Sequence, residues 1–259
     1  MPRMAETTLV TIGSDARLVV LARTLHAPGP ATAWEARFAD RAAFGETCVG
    51  RALYRHRSVF RTASDAPVWS HLELTYFRDL VPADALRVLV FDRPPGEPDL
   101  LRAEILATTP ASFVLPRGWQ GVAGRPDRQA SLEYLDVRPA HLGAYREIMR
   151  RFIGPAAARL VASGRFGTFR AMETLAVLVS DPALTTGWNQ IHLCEVEAEG
   201  FGGFGRELDA ALREVAPDGG FAGVFAGLGP MRTIPRWTFN DAVVEADAAL
   251  GRPDLSDPC

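Results

Sequence analysis

Residues 188–195 read WNQIHLCE, and residues 69–74 read WSHLEL. Both stretches place a Trp shortly before a His-Leu pair, with a Glu close behind. Side chains alternate between the two faces of a β-strand, and both stretches predict strands with the leucines on one face and polar residues on the other. The recurrence of this pattern in the second half of the chain indicates a duplicated structural unit.

The middle of the chain is rich in Gly, Pro and charged residues, in the stretch LPRGWQGVAGRPDRQA at 115–130. Such a composition, without apolar periodicity, is typical of a linker. We therefore predict an N-terminal half over 1–115, a linker over 116–130, and a C-terminal half over 131–259 that ends in a helix and a tail.

The C-terminal half reads as strand, helix, strand, strand, helix, strand. Alternation predicts strands over 131–137, 165–179, 189–198 and 232–239. Helical spacing predicts a helix from Pro139, a break at Gly154-Pro155, a second helical piece over 156–163 and a helix over 205–216. This order is that of the ferredoxin-like β-α-β-β-α-β motif.

The N-terminal half can be laid on the same template. Its pattern predicts strands over 17–24, 52–60, 68–77 and 85–92, and helices over 31–45 and 97–108. The predicted fold class is α+β, with two tandem ferredoxin-like units that form one α/β barrel within a single chain.

The basic residues of this chain are all arginine, 28 in number, and none is lysine. Chemistry that needs a lysine, such as a Schiff base or a P-loop, is therefore excluded. Residues 1–128 carry 16 Arg against 14 acidic residues, and residues 129–259 carry 12 against 17. Neither half has the basic excess of a nucleic-acid-binding protein, and we expect no nucleic-acid partner.

The composition is that of a globular protein, with 47% hydrophobic residues and a net charge of −3. No apolar run has the length of a membrane span, and the N-terminus lacks the apolar core of a secretory signal. The cysteines, three in number, are too scattered for a disulfide framework. We expect a cytoplasmic protein without a membrane partner.

Two longer stretches carry a family resemblance: YLDVRPAHLGAYREIM at 134–149 and WNQIHLCEVE at 188–197. They resemble NIPSNAP-type proteins, and the whole layout resembles the dimeric α/β-barrel superfamily, which also includes antibiotic-biosynthesis monooxygenases, polyketide cyclases and chlorite dismutase-like haem proteins. The resemblance implies two sheets that enclose a pocket for a small, apolar or aromatic molecule, and it leaves a homodimer open. It does not imply one particular reaction.

If the leucines of the two strands pack under the helices, the opposite face points into the barrel. That face carries His71 and Glu73 in one half and His192 with Cys194 in the other. An imidazole beside a carboxylate is suited to general acid–base catalysis, so we predict His71, Glu73 and His192 as catalytic residues. Acidic neighbours disfavour a thiolate at Cys194, which we expect to be a small core residue. The predicted substrate-binding residues are Tyr54, His56, Trp69, Tyr134, Arg170 and Trp188.

Other site types receive less support from the sequence. GFGGFG at 200–205 has the spacing of a dinucleotide-binding turn, but three glutamates precede it and no acidic residue follows between Asp218 and Asp241. A glycine loop over a pocket mouth is the better interpretation. No metal-ligand spacing and no credible serine triad is found. We expect no cofactor; a haem alternative would use His141 or His192 as the axial ligand.

The predicted function is that of a cofactor-independent enzyme of specialised metabolism, acting on a small, largely apolar or aromatic substrate in the barrel interior. Two reaction types stay open: acid–base catalysis of the cyclase or isomerase type, and monooxygenation in which the substrate itself activates oxygen. The alternative from another class is a non-catalytic barrel that binds a small molecule or a partner.

Overall fold

The computed structural model describes residues 9–11, 18–40, 46–62, 69–93, 95–119, 121, 123–184, 187–198, 202, 204–246 and 250. The strands are β1 (Leu9–Thr11), β2 (Val19–His26), β3 (Cys48–Thr62), β4 (His71–Phe77), β5 (Asp99–Pro116), β6 (Arg128–Val137), β7 (Phe169–Ser180), β8 (Gln190–Glu197) and β9 (Arg232–Glu245).

The helices are α1 (Thr32–Asp40), α2 (Ala83–Leu86), α3 (Leu142–Ile148), α4 (Gly154–Ala162), α5 (Phe204–Val215) and α6 (Gly220–Leu228). A π-helical turn (Arg87–Phe91) follows α2, a short 3₁₀ turn (Pro139–His141) precedes α3, and a second π-helical turn (Met149–Ile153) joins α3 to α4. None of these described helices combines the length and the apolar character that crossing a membrane requires.

The strands form one sheet in the order β1-β5-β2-β4-β3-β9-β6-β8-β7, and β5 also pairs with β7. This last pairing closes eight strands into a barrel, with β1 attached to the outside of the ring at β5. Every pairing among the described strands is antiparallel. The class is therefore α+β, as predicted. The glycine-rich segment 200–205, of which residues 200, 201 and 203 lie outside the described ones, does not stand in the parallel βαβ unit that a dinucleotide-binding turn needs.

One apolar cluster fills the interior of the barrel. It takes side chains from every strand of the ring, among them Tyr54, Leu72, Leu106, Leu132 and Leu193, and none from the six helices. A second cluster lies outside the barrel, between the C-terminal strands and the helices α3–α6. Two smaller clusters lie under α2 and α1. Both faces of the sheet are thus buried wherever a helix covers it.

Two predicted elements of the N-terminal half are wrong. Of residues 85–92, predicted as a strand, 85–91 belong to α2 and its π-helical turn, and of residues 97–108, predicted as a helix, 99–108 belong to the strand β5. In a short apolar run, the spacing of hydrophobic residues does not distinguish a buried strand from a buried helix. Leu89 and Val90 pack in the cluster under α2, whereas β5 is held by its pairings with β2 and β7.

The predicted break at Gly154-Pro155 is a change of helix type rather than an end. Pro155 cannot donate a backbone hydrogen bond, and the π-helical turn before it accommodates that loss. Gly154 is required there for another reason. A Cβ atom on it would lie 1.9 Å from the carbonyl oxygen of Ala111 on β5. The Ser112 hydroxyl then donates a 3.1 Å hydrogen bond to the carbonyl of Met149.

Candidate functional site

The predicted faces of β4 and β8 are reversed in the structure. Leu72 and Leu74 of β4 and Leu193 of β8 point into the barrel. His71 and Glu73 therefore point outward from β4, and His192 and Cys194 point outward from β8, toward the helices. The prediction that these residues line the barrel interior is wrong, because the large apolar side chains fill the narrow inside of the closed sheet.

His71 and Glu73 do not form an acid–base pair with each other. Glu73 is fully buried and accepts a 3.0 Å hydrogen bond from Nε of Arg23, whose Nη1 also donates to the carbonyl of Leu89 at 2.7 Å. The imidazole of His71 instead contacts Glu35 of α1, with 2.9 Å between Nε2 and Oε1. Glu73 thus belongs to a buried ion pair, and His71 to a separate network.

Three of the predicted substrate-binding aromatic residues pack against one another inside the barrel. The ring centroid of Trp69 lies 4.8 Å from that of Tyr134 and 5.3 Å from that of Trp188. The indole nitrogen of Trp69 donates to the Tyr134 hydroxyl at 3.2 Å, and that of Trp188 donates to Glu104 at 2.7 Å. These rings contact each other and have their polar atoms satisfied, so they form core structure.

The remaining predicted substrate-binding residues are dispersed. Arg170 is fully buried in the barrel, donates a 2.8 Å hydrogen bond to Glu195, and stacks 4.3 Å above the ring of Trp119. Tyr54 is also in the barrel, with its hydroxyl 3.0 Å from Glu245. His56 lines a different cavity, in the N-terminal half, together with Trp69 and the predicted catalytic residue His71. The structure does not bring the predicted set together into one site.

A cavity of about 400 Å³ lies outside the barrel, between the C-terminal strands and the helices that cover them. Its floor is the outer face of β6 and β8, where Ser131 is opposite Cys194 and Glu133 is opposite His192. The walls are apolar and largely aromatic: Phe60, Ile153, Ala157, Leu160, Phe166, Phe169, Phe204, Leu208, Phe221, Phe225, Ile234 and Trp237. We call this cavity the outer pocket.

The outer pocket exists where the floor residues are small. Two residues after His71, Glu73 of β4 lies opposite Arg23 of β2, and this buried ion pair contacts the π-helical turn after α2. Two residues after His192, Cys194 of β8 lies opposite Ser131 of β6. Two small side chains leave open the volume that a guanidinium and a carboxylate fill in the other half.

The polar residues of the floor form a connected network around His192. Its Nδ1 lies 3.7 Å from a carboxylate oxygen of Glu133, and its Nε2 lies 3.3 Å from the hydroxyl of Tyr145 on α3. Arg232, at the start of β9, donates a 3.1 Å hydrogen bond to the same hydroxyl. If Nδ1 carries the imidazole proton toward Glu133, Nε2 accepts from Tyr145 and is the basic nitrogen.

Burial sets the protonation states of this network. It lowers the pKa of His192, and the nearby carboxylate of Glu133 offsets this only in part. Burial acts to raise the pKa of Glu133, but the contact with His192 and the charge of Arg232 outweigh it, so that carboxyl stays ionised. Burial also raises the pKa of Tyr145 to about 12 and that of Cys194 well above its usual range. The pocket floor thus holds a neutral imidazole beside a carboxylate.

The lowered pKa of His192 predicts a pH-dependent stability. Below about pH 6.5 the unfolded chain protonates this histidine while the folded chain does not, so the free energy of unfolding decreases as the pH falls through that value. The contribution is at most about 1.4 kcal/mol per pH unit for one proton. Urea denaturation of the wild type and of His192→Gln between pH 7 and pH 5 measures it. The variant should show the shallower slope, and equal slopes would contradict the assignment.

Haem ligation by His192 would need a rearrangement of the outer pocket. An axial histidine needs one nitrogen free to bind iron, so the Tyr145 hydroxyl would have to leave Nε2. Among the described residues that line the pocket, the histidine is His192. Glu133 and Tyr145 contact its two ring nitrogens. His141, the other predicted ligand, is not among those lining residues. Within the described part of the chain, no group of three His, Cys, Asp or Glu has the geometry of a metal site.

Sequence reasoning identified His192 but missed its partners. Glu133 is two strands away in sequence and becomes a neighbour only through the β6–β8 register. Tyr145 and Arg232 reach the site from a helix and from the last strand. The sequence does contain a signal for Glu133, because it lies in the alternating stretch SLEYLDV on the face opposite Tyr134. With the faces of the strands assigned correctly, that signal places Glu133 on the side of the helices.

Comparison with known proteins supports the fold. No protein-family model and no curated protein matches the chain. An anthrone oxidase-like protein aligns with a TM-score of 0.54 at 12% identity, over 92% of this chain and 95% of that one. A protein named as a monooxygenase, from Fusobacterium nucleatum subsp. nucleatum, aligns with a TM-score of 0.51 at 7% identity, over 89% and 94%. At these identities the likeness concerns the fold alone.

Proposed function

We propose that this protein is an oxygen-dependent enzyme of the oxidase or monooxygenase type, acting on a flat, largely apolar molecule in the outer pocket. The observation that carries the proposal is the placement of His192 and Glu133, 3.7 Å apart, on the floor of an apolar cavity, where burial lowers the pKa of His192. A cavity lined by aromatic side chains with a few convergent polar groups is typical of a small-molecule site. The names of the two aligned proteins, anthrone oxidase-like and monooxygenase, agree with oxygen chemistry.

The floor residues have the chemistry to activate a weakly acidic substrate. Nε2 of His192 would accept a proton from an acidic C–H or O–H group of the substrate, after its 3.3 Å contact with the Tyr145 hydroxyl opens. Glu133 would then stabilise the imidazolium. The resulting carbanion or phenolate is electron-rich and can reduce dioxygen directly. For an activated methylene group the balance is CH₂ + O₂ → C=O + H₂O, without another reductant. Arg232 is placed to hold the developing oxyanion.

This proposal moves the site from the barrel interior to the outside of the sheet. The interior of the described barrel is occupied by packed aromatic and aliphatic side chains.

We also infer that the chain is a fusion of two ferredoxin-like units, 1–115 and 131–259, joined at 116–130. The strand orders support this inference: β5-β2-β4-β3 and β9-β6-β8-β7 both run fourth, first, third, second within their half.

An anthrone is a suitable probe, because it is flat, apolar and has an activated methylene group. We expect the purified protein to consume about one O₂ per ketone formed, as followed with an oxygen electrode and by the product spectrum. Gly205→Phe should reduce this rate at least tenfold. Gly205 lines the pocket, and a Cβ atom on it meets no atom within 4 Å, so the ring would fill the cavity without a clash at its base.

Gly143→Phe is the matched control. Gly143 lies exposed on α3, away from the residues that line the pocket, and it also has open space at Cβ. Its variant should keep the wild-type rate. Turnover of a substrate without oxygen would favour the cyclase or isomerase reaction, for which the same base would serve. Binding of flat aromatic molecules without any turnover would instead support the non-catalytic alternative.

A further inference from the structure

A row of directly opposed residues on four adjacent strands crosses the outer pocket. His192 of β8 is opposite Glu133 of β6. Trp237 of β9 is opposite Glu133 on one side and opposite Arg61 of β3 on the other. All of these side chains line the pocket. Neighbouring strands lie about 4.8 Å apart, so the row extends roughly 14 Å along the sheet, from the proposed base at one end to a guanidinium at the other.

A β-bulge accounts for the side on which Arg61 lies. In the pairing of β3 with β9, Val59 is opposite Thr238 and Arg61 is opposite Trp237, so Phe60 is the extra residue of the bulge. An extra residue interrupts the alternation of side chains and re-aims those beside it. Phe60 and Arg61 therefore both line the outer pocket, although they are consecutive in the sequence.

The charges that line the outer pocket favour an anion. The described lining residues include two guanidiniums, those of Arg61 and Arg232, and one carboxylate, that of Glu133. His192 adds no charge at neutral pH, because burial lowers its pKa. Among the described lining residues, one positive charge is therefore in excess.

Arg61 is the guanidinium that stays accessible to a ligand. It is exposed to solvent while it lines the pocket, which places it at the opening, and within the described part of the chain it forms no ion pair and no hydrogen bond. Arg232 instead donates to the Tyr145 hydroxyl at 3.1 Å. The charge of Arg61 does help to lower the pKa of Glu133, but it is the weakest of the neighbours that do so.

We infer that the substrate of the outer pocket is a flat aromatic acid, whose carboxylate binds Arg61 while its acidic C–H or O–H group reaches His192. The inference rests on the proposed function for the reacting end of the molecule, and on the row of residues for the acid. The planar guanidinium presents paired N–H groups that match the two oxygens of a carboxylate. Between the two ends lies the indole of Trp237, which a 2.7 Å hydrogen bond to Ser131 holds in place and against which aromatic rings can pack.

The test compares the binding of a naphthoate with that of the corresponding naphthamide, by isothermal titration calorimetry. The amide has nearly the same shape and no charge, so the pair of ligands isolates the effect of the carboxylate. We expect the wild type to bind the acid about tenfold more tightly or better, and equal affinities would overturn the inference. Gly205→Phe, which fills the pocket, should abolish the binding of both ligands. Unchanged binding of the acid to this variant would place the acid elsewhere and also overturn the inference.

Three variants assign the preference to one guanidinium. Arg61→Gln should bind the acid and the amide equally, with the affinity for the amide unchanged, and Arg61→Lys should retain part of the preference because it keeps the charge without the paired N–H groups. Arg57→Gln is the matched control. Arg57 is also exposed on β3, forms a 3.7 Å ion pair with Asp241 and does not line the pocket, so its variant should keep the wild-type preference. A folded Arg61→Gln variant with the wild-type preference would contradict the assignment.

These measurements need no turnover, so the inference and the proposed function can fail separately. A preference for the acid, without oxygen uptake on any anthrone, would contradict the proposed reaction and support the acid site. Oxygen uptake with an anthrone, together with equal affinities for the acid and the amide, would contradict the acid site and support the reaction.

Discussion

His192→Gln should lower the turnover of the proposed reaction by about 10²–10⁴-fold, which corresponds to a loss of about 3–5 kcal/mol of transition-state stabilisation. Glutamine can keep a polar contact with Tyr145 but cannot accept a substrate proton at neutral pH. The measurement is the steady-state rate of oxygen uptake with an anthrone, beside a thermal melt. The variant should fold, because glutamine fits the space of the imidazole on the pocket floor.

His141→Gln is the control for this variant. His141 closes the 3₁₀ turn before α3 and does not line the outer pocket. Its replacement should change neither the rate nor the melt. If His192→Gln keeps the wild-type rate within a factor of ten while it melts normally, the imidazole is not the base. Glu133 would then be the residue to test next, as the other group on the floor that can take a proton.

Glu73→Ala should destabilise the protein by about 3 kcal/mol and leave the turnover of the folded fraction unchanged. The change removes the two hydrogen bonds that the buried guanidinium of Arg23 donates to this carboxylate, and a hydrogen bond to a charged group contributes about 1.5–3 kcal/mol, while Glu97 stays at 3.1 Å as the remaining carboxylate partner. Urea denaturation measures the loss. A large loss of rate with normal stability would instead restore the acid–base role that the sequence suggested for Glu73.

Two further variants separate the ion pair from other effects of the mutation. Glu214→Ala removes one partner of the ion pair with Arg159, in which both side chains are about half exposed, and should cost less than about 1 kcal/mol. In the triple variant Arg23→Met, Glu73→Met, Glu97→Gln, all three charges of this buried group leave together. It should be more stable than Glu73→Ala alone, because the guanidinium and both carboxylates that contact it are removed at once.

Several features of the protein could be predicted from the sequence because they depend on local patterns. Alternation placed strands at WSHLEL and WNQIHLCE, and the helical spacing from Leu142 predicted α3. Within the Gly- and Pro-rich stretch at 115–130, residues 117–127 join the end of β5 at Pro116 to the start of β6 at Arg128. The class α+β follows from the order of such elements, and the absence of lysine excludes whole reaction types without any structure.

The tertiary structure decided which face of each strand points inward, and therefore where the site lies. All seven residues of β4 are buried, so polarity along His71–Phe77 does not distinguish the barrel side from the helix side. Closure of the sheet through β5 and β7 makes that choice, because its narrow interior is filled by the leucines and aromatic rings. The same closure turns His192 toward the helices, where the register brings Glu133 beside it and where α3 and β9 add Tyr145 and Arg232. Contacts between residues so distant in sequence depend on packing, which a local pattern does not encode.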